Sequence, residues 1–482
     1  MPRTASLGGL TVLASILATV APAVADTNVL PLTDFSSNPS LTTPPWTTAT
    51  DKWFILPSSP ALSTWWDSTN QRIQCLTTPS GTKKWNQVLT PKFNVDASAY
   101  YKVTFNYTLQ SGRGLIGFDG ANPNATWGLW GANTRGSNEK VLYPDWTCVF
   151  PATNGSFTWY TRARDNAIQS NARFECVDDG TSSNLYVDNV KVDKVSSRSD
   201  IAAWANANYA AFPASSRAVL NNFQWPANRA NSLQRTLAKL RSGQQVTIAF
   251  FGDSLACDCG DSYLDVLLES KYASQIRIVN AVGSGTSMKN WLDAVNNVTN
   301  PQLLNFTDAL VNQQPDLVIM PGITLSSSGN STDVSAVRTM IDNVRNAVNA
   351  GYGYTPDILL TAVPSRNPVY ASSSWSPTVV DDYNPATGAA SNFRNSLYHL
   401  SIEKNTGFMD LEGACGLFMQ DFQNTGNDYT TLFRDGYLHL DNQGKALAGQ
   451  AMLSFLSVPE PGSSALLLSA TLTTLLRRPR KK

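Results

Sequence analysis

The apolar run Val246-Thr247-Ile248-Ala249-Phe250-Phe251 ends abruptly in Gly252-Asp253-Ser254. A serine hydroxyl is a weak nucleophile until an adjacent base takes its proton. The 482-residue chain has two histidines, His399 and His439, so that base has few candidates. His439 lies in Asp435-Gly436-Tyr437-Leu438-His439-Leu440, with an aspartate four residues ahead of it. Serine, histidine and aspartate are the parts of acyl transfer through an activated hydroxyl. Asp435 has a plainer alternative as a turn residue before Gly436. His399 sits in the helical stretch Leu397 to Glu403, away from any strand end, and reads as structural.

These residues need a frame. The apolar β-branched run reads as a buried strand that delivers Ser254 to a sheet edge. Further apolar strands are predicted at 276–282, 316–320, 357–363 and about 407–411. Helical stretches alternate with them. The clearest spans 333–350, with Val334, Val337, Ile341, Val344 and Val348 on one face and Gly351 as its stop. Another spans 232–243, with Leu233, Leu237 and Leu240 on one face, Asn231 or Ser232 as its cap and Gly243 as its end. Alternating strand and helix predicts an α/β doubly wound parallel sheet. Active sites in such sheets lie at the carboxyl ends of strands, which is where Ser254 falls.

Residues 27 to about 195 differ. Alternating runs at 101–107, 157–161 and 185–192 recur between turn-forming residues and predict an all-β antiparallel sandwich. Nine of the 13 tryptophans lie there, enough for some to serve as sugar platforms. Trp65, Trp66, Trp127 and Trp130 are the candidates for substrate binding, because their Gly/Asn/Ser-rich surroundings look loop-like. The alternative for each is core packing. Residues 196–231, rich in Ala, Asn and Ser, read as a connector that packs along both parts.

Charge and cysteines bound the partners. Setting aside Arg3, Glu460 and the five basic residues of 477–482 leaves 30 Lys and Arg against 35 Asp and Glu. That mildly acidic body disfavours nucleic acid as a partner. Cys75, Cys148 and Cys176 fall in the first half; Cys257, Cys259 and Cys415 fall in the second. At most one pair can close within each half. With no zinc spacing and two histidines, neither a metal nor another cofactor is expected.

The ends carry address signals. Arg3, the apolar stretch Leu10 to Val20 and Ala23-Val24-Ala25 have the order of a signal peptide over residues 1–25. At the other end Val458-Pro459-Glu460-Pro461-Gly462 precedes an apolar run from Ala465 to Leu476, then Arg477-Arg478-Pro479-Arg480-Lys481-Lys482. This order resembles the bacterial PEP-CTERM sorting signal. The resemblance implies processing by sorting machinery, transient membrane association through the apolar helix, and delivery to the cell surface or extracellular matrix. A plain C-terminal anchor is the alternative.

Two further resemblances follow from motifs already quoted. Asp34-Phe35 through Pro45-Trp46, the strand Tyr101-Lys102-Val103-Thr104-Phe105 and the closing Tyr186-Val187-Asp188-Asn189-Val190 are similar to jelly-roll carbohydrate-binding modules. Over roughly residues 243–456 the chain resembles the SGNH/GDSL hydrolases, whose sheet is flavodoxin-like. That resemblance implies Ser254 as nucleophile, His439 as base and Asp435 as the group that orients it. It also implies an oxyanion hole from the Ser254 N–H and a glycine of Val279-Asn280-Ala281-Val282-Gly283-Ser284-Gly285. Gly285 and Gly283 both qualify, and spacing does not choose between them.

Two positions depart from the family pattern. The aspartate usually stands three residues before the histidine, where this chain has Gly436. If Asp435 does not reach the ring, a Ser–His dyad remains. The family's Gly-x-Asn is here Gly322-Ile323-Thr324, so the third oxyanion donor is Thr324 or Asn330. The layout implied is a signal peptide (1–25), a carbohydrate-binding-like sandwich (27–195), a linker and helix (196–242), a hydrolase domain (243–456) and a sorting signal (458–482). The function implied is an exported esterase acting on an acylated, above all O-acetylated, polysaccharide. Alternatives are a lipase or thioesterase, or a glycan-binding surface protein with a degenerate hydrolase fold.

Overall fold

The computed structural model describes residues 25–33, 35–36, 53–57, 63–77, 84–122, 129–134, 140–150, 154–178, 182–226, 232–283, 285–295, 306–320, 331–362, 364, 376–435 and 438–457. Nearly all of the expected signal peptide, the whole sorting segment, Trp127, Thr324 and Asn330 lie outside these residues. Among the described residues no helix is long and apolar enough to cross a membrane.

The first half is a two-sheet antiparallel sandwich. Its strands begin with β1 Thr27–Thr33, β2 Phe54–Pro57, β3 Ser63–Asp67, β4 Arg72–Thr77, β5 Lys84–Leu89, β6 Phe93–Asn94 and β7 Tyr100–Ser111. They continue with β8 Arg113–Ala121, β9 Leu129–Thr134, β10 Lys140–Phe150, β11 Asn154–Arg162, β12 Gln169–Asp178 and β13 Ser183–Lys194. One sheet runs β11-β7-β13-β4-β3, with β1 on β13. The other runs β2-β5-β12-β8-β10-β9, with β6 on β12. Period-two patterning sets this layout. Along β7, Tyr101, Val103, Phe105, Tyr107 and Leu109 enter the core, while Lys102, Thr104 and Asn106 alternate with them. Trp159, Phe174 and Val192 close the core from facing strands.

The second half is a parallel sheet of β14 Val246–Gly252, β15 Ile276–Val282, β16 Leu317–Met320, β17 Asp357–Thr361 and β18 Gly407–Met409. Its order is β15-β14-β16-β17-β18, all parallel. This is the doubly wound order 2-1-3-4-5, whose switch point lies beside the end of its first strand. Every residue of β14 is buried, as a strand covered on both faces must be. The last strand stops at Met409, short of the predicted 411. Asp410 instead caps the next helix by accepting from the Gly413 N–H at 3.1 Å.

The helices are α1 Arg198–Ala210, α2 Ala214–Asn221, α3 Gln234–Arg241, α4 Ser254–Gly260, α5 Leu264–Tyr272, α6 Met288–Val295, α7 Phe306–Ala309 and α8 Ser331–Tyr352. Then follow α9 Phe393–Glu403, α10 Leu411–Asn424 and α11 Asn442–Ser457. The valine stripe of α8 is buried as its spacing predicts. Neither expected residue caps α3: Asn231 lies outside the described residues, and Leu233 holds the cap position. Asp357 of β17 takes over, accepting from the Thr236 N–H at 2.7 Å.

The connector is helical rather than irregular. Trp204 of α1 sits between Tyr160 of the sandwich and Tyr263 ahead of α5, with ring centroids 5.3 Å from each. Tyr100, Ile201, Ala205, Tyr263 and Val266 continue this apolar seam between the two halves. Cys75, Cys176, Cys257, Cys259 and Cys415 are buried thiols, and the Cys176 Sγ donates to the Cys75 carbonyl at 3.0 Å.

Candidate active site

Ser254 opens α4 directly after β14. Asp253 is the helix N-cap: its Oδ1 accepts from the Leu255 N–H at 2.9 Å and the Ala256 N–H at 3.3 Å. The cap thus takes the two amides beyond Ser254 and not that of Ser254 itself. The carbonyl of Gly252 accepts from the Gly283 N–H at 3.0 Å and the Trp291 Nε1–H at 2.9 Å. Trp291 is a buried anchor for the turn that carries Ser254, and sequence reading missed it. The signal was its place on the helix following the glycine block.

The histidine arrives on a closed loop. Phe433 and Leu440 form an antiparallel bridge, and the Arg434 N–H donates to the His439 carbonyl at 2.8 Å. Within that loop Asp435 divides its carboxylate. Oδ1 accepts from the Leu438 N–H at 2.8 Å and the His439 N–H at 3.1 Å. Oδ2 lies 2.8 Å from His439 Nδ1. A carboxylate only accepts, so this contact places the ring proton on Nδ1 and leaves Nε2 to accept from Ser254 Oγ at 3.1 Å. The extra residue before His439 is absorbed because Asp435 folds back on the loop backbone. The serine residue is 9 % exposed and the histidine side chain 20 %, so the pair is not sealed from solvent.

Of the two glycine candidates, Gly283 uses its N–H on Gly252. Gly285 has φ +64, and among the described residues no atom lies within 4 Å of where a Cβ would stand. Its backbone is in the left-handed region that favours glycine. Gly285 is thus the glycine candidate whose N–H is not spent on Gly252, while Thr324 and Asn330 lie outside the described residues.

Three of the four tryptophan candidates are not in loops. Trp65 and Trp66 lie on β3 and Trp130 on β9, because strand pairing overrides the turn-forming residues around them. Trp66 packs on the sandwich core and its Nε1–H donates to the Phe35 carbonyl at 3.2 Å. Its indole is committed to packing.

Behind the serine and histidine lies a buried charged seam that joins the two halves. Lys445 of α11 is 1 % exposed and bonds Asp145 of β10 at 2.5 Å. Arg164, beyond β11, bonds Asp261 at the end of α4 at 2.7 Å. Asn280 of β15 also donates to Asp261, at 3.0 Å. Tyr263 stands at φ +64, a strained setting for a non-glycine residue, with its hydroxyl 3.1 Å from the Tyr160 carbonyl and 3.0 Å from Asn442 Oδ1. Sequence reading missed these groups, since single polar residues that meet across 19 to 300 positions leave no local pattern. Among the described residues no group of three His, Cys, Asp or Glu is placed to hold a metal ion.

The sequence matches no protein-family model, and no curated protein is similar to it. Solved structures with partial likeness include a family two carbohydrate esterase from Clostridium thermocellum in complex with cellohexaose. That likeness has 10% identity and TM-score 0.23, and covers 77% of this chain and 97% of that one. The CBM22-1 xylan-binding domain of Paenibacillus barcinonensis Xyn10C is 10% identical at TM-score 0.23, covering 36% of this chain and 99% of its own. A structure described as CBM4 is 14% identical at TM-score 0.26, covering 34% and 97%. None of these scores is high enough to decide the chemistry of this chain.

Proposed function

We propose that the chain is a serine esterase of SGNH type that removes ester-linked acyl groups, O-acetyl above all, from a polysaccharide outside the cell. The observation that carries the reading is the continuous contact from Asp435 through His439 to Ser254, at 2.8 and 3.1 Å. In this mechanism His439 Nε2 takes the proton of Ser254 as Oγ attacks the ester carbonyl. Asp435 holds the ring and stabilises the imidazolium that forms. The Ser254 and Gly285 amides, with Thr324 or Asn330, bind the tetrahedral oxyanion. Each such donor is worth about 2.7–4 kcal/mol of barrier. The sugar hydroxyl leaves with the proton from His439, and water then repeats the cycle on the acyl-enzyme.

A glycan substrate is favoured by the tryptophan-rich sandwich fixed against the site, with Trp65, Trp127 and Trp130 as the remaining stacking candidates. Location outside the cell rests on the address signals expected at both ends. The test is hydrolysis of p-nitrophenyl acetate and of acetylated xylan by the purified full chain. Acetate release that disappears in Ser254→Ala supports the reading. Release that survives Ser254→Ala, or an inert wild type, overturns it.

A further inference from the structure

The helix that opens on Ser254 holds the histidine loop at a second point. Asp258 stands one turn after Ser254 in α4, so the two side chains lie on the same side of the helix. Its Oδ2 accepts from the Leu440 N–H at 3.0 Å, across 182 positions of sequence. Leu440 follows His439 directly and closes the loop by its bridge to Phe433. Ser254 therefore meets the imidazole while Asp258 grips the backbone one residue beyond it. The distance between Nε2 and Oγ is set by one short helix rather than by two independent elements.

Asp258 is 2 % exposed, so its charge is held away from water at a cost. Burial pushes its pKa above the ordinary carboxylate value; Arg434, Lys445 and His439 counter that only in part, and Asp261 adds a like charge. Arg434 belongs to the histidine loop and Lys445 to the helix after it, so the compensating cations come from the elements that Asp258 positions. We infer that Asp258 is a positioning residue for the proposed hydrolysis, fixing the His439 loop against the Ser254 helix. The inference rests on the reading of Ser254, His439 and Asp435 as a working triad.

The experiment compares Asp258→Leu, Asp258→Asn and Asp258→Glu in the full chain, with p-nitrophenyl acetate as substrate and melting temperature recorded alongside. Asp258→Asn keeps an oxygen that can accept from Leu440 but drops the charge. Asp258→Glu keeps the charge but moves the oxygen by one methylene. A shift of about 1 Å at a reacting pair costs on the order of 100-fold in rate, so Asp258→Leu and Asp258→Glu are expected to lose about 10- to 100-fold in kcat at unchanged KM. Asp258→Asn is expected to lose less than about fivefold on the same reasoning. If Asp258→Leu does not fold, the Asn and Glu pair decides alone.

Two results overturn the inference while leaving the esterase reading intact. One is a wild-type kcat in Asp258→Glu with a depressed kcat in Asp258→Asn, which makes charge rather than the bond the important property. The other is an unchanged kcat in all folded variants with only the melting temperature lowered, which makes Asp258 a packing group. A wild type that neither hydrolyses the ester nor takes up a fluorophosphonate at Ser254 overturns the esterase reading, and this inference with it.

Discussion

The two histidines make the instructive comparison. Each holds a carboxylate on Nδ1 at nearly the same distance: Asp435 at 2.8 Å from His439, and Asp381 at 2.9 Å from His399. A His–Asp pair is therefore not what distinguishes them. The other face of each ring does. His439 meets Ser254 at a strand end, whereas His399 turns Nε2 toward Glu403 at 3.7 Å and stacks its ring on Tyr383 at 3.9 Å. Burial differs as well, with Asp435 13 % exposed and Asp381 40 %. Among the described residues the nitrogens of His399 face only these carboxylates, with no serine hydroxyl against either.

The strongest way to break this comparison is to remove each ring in turn. Ser254→Ala and His439→Ala are expected to lower kcat/KM on p-nitrophenyl acetate by about 10⁴-fold or more, since nucleophile and base act as a unit. His399→Ala is expected to leave kcat/KM unchanged. Equal losses at the two histidines would erase the distinction. The carboxylates give the next largest contrast. Asp435→Asn is expected to cost roughly 10²- to 10⁴-fold, through loss of the ring orientation that an anionic acceptor enforces. Asp381→Asn is expected to cost nothing in activity. A near-normal Asp435→Asn would point to a Ser–His dyad oriented by another group.

Much of the His439 side was legible in the sequence. The β14 run is wholly apolar and ends in Gly-Asp-Ser, so strand, turn and nucleophile share one local pattern. The Asp435–His439 pair was legible as types but not as geometry, because whether a four-residue offset reaches the ring depends on how Asp435 bonds the loop backbone. That the Gly283 N–H is spent on Gly252 was not legible, since no spacing encodes it. The α1 and α2 helices were read as a plain connector because Ala, Asn and Ser carry little apolar periodicity. Asp258, Lys445 and Asp145 were silent, since a buried charge and a surface charge look alike in sequence.

The charges around each histidine sharpen the comparison further. Behind His439, Lys445 is enclosed with Asp145 and Asp261. Beside His399, Arg338 bonds Glu403 at 2.9 Å on a partly open surface. Breaking a buried pair leaves an uncompensated charge, so Lys445→Met is expected to destabilise by about 3–5 kcal/mol in urea unfolding. Removing a surface pair is expected to cost about 0–1 kcal/mol in Arg338→Ala. If the two variants unfold at similar urea concentrations, the seam between the halves is not the stabilising frame that its burial implies.

The smallest contrast concerns pH. Asp441, two residues after His439, caps α11 by accepting from the Gly444 N–H at 2.7 Å. Burial outweighs that bond and pushes its pKa up to about 7, from an ordinary 3.8. A carboxyl whose pKa rises on folding favours the fold in its neutral form. Its contribution is complete below pH 3.8 and is lost as pH climbs through about 7. Glu412, buried in α10 and likewise raised to about 7, pulls in the same direction. Asparagine caps a helix as well as aspartate does, so Asp441→Asn keeps the bond and removes the titration. The variant is expected to match the wild type near pH 4 and to exceed it increasingly toward pH 8, by up to about 4 kcal/mol. Melting curves that stay parallel across that range would mean water reaches Asp441 and that the ground beneath His439 is no drier than the ground beneath His399.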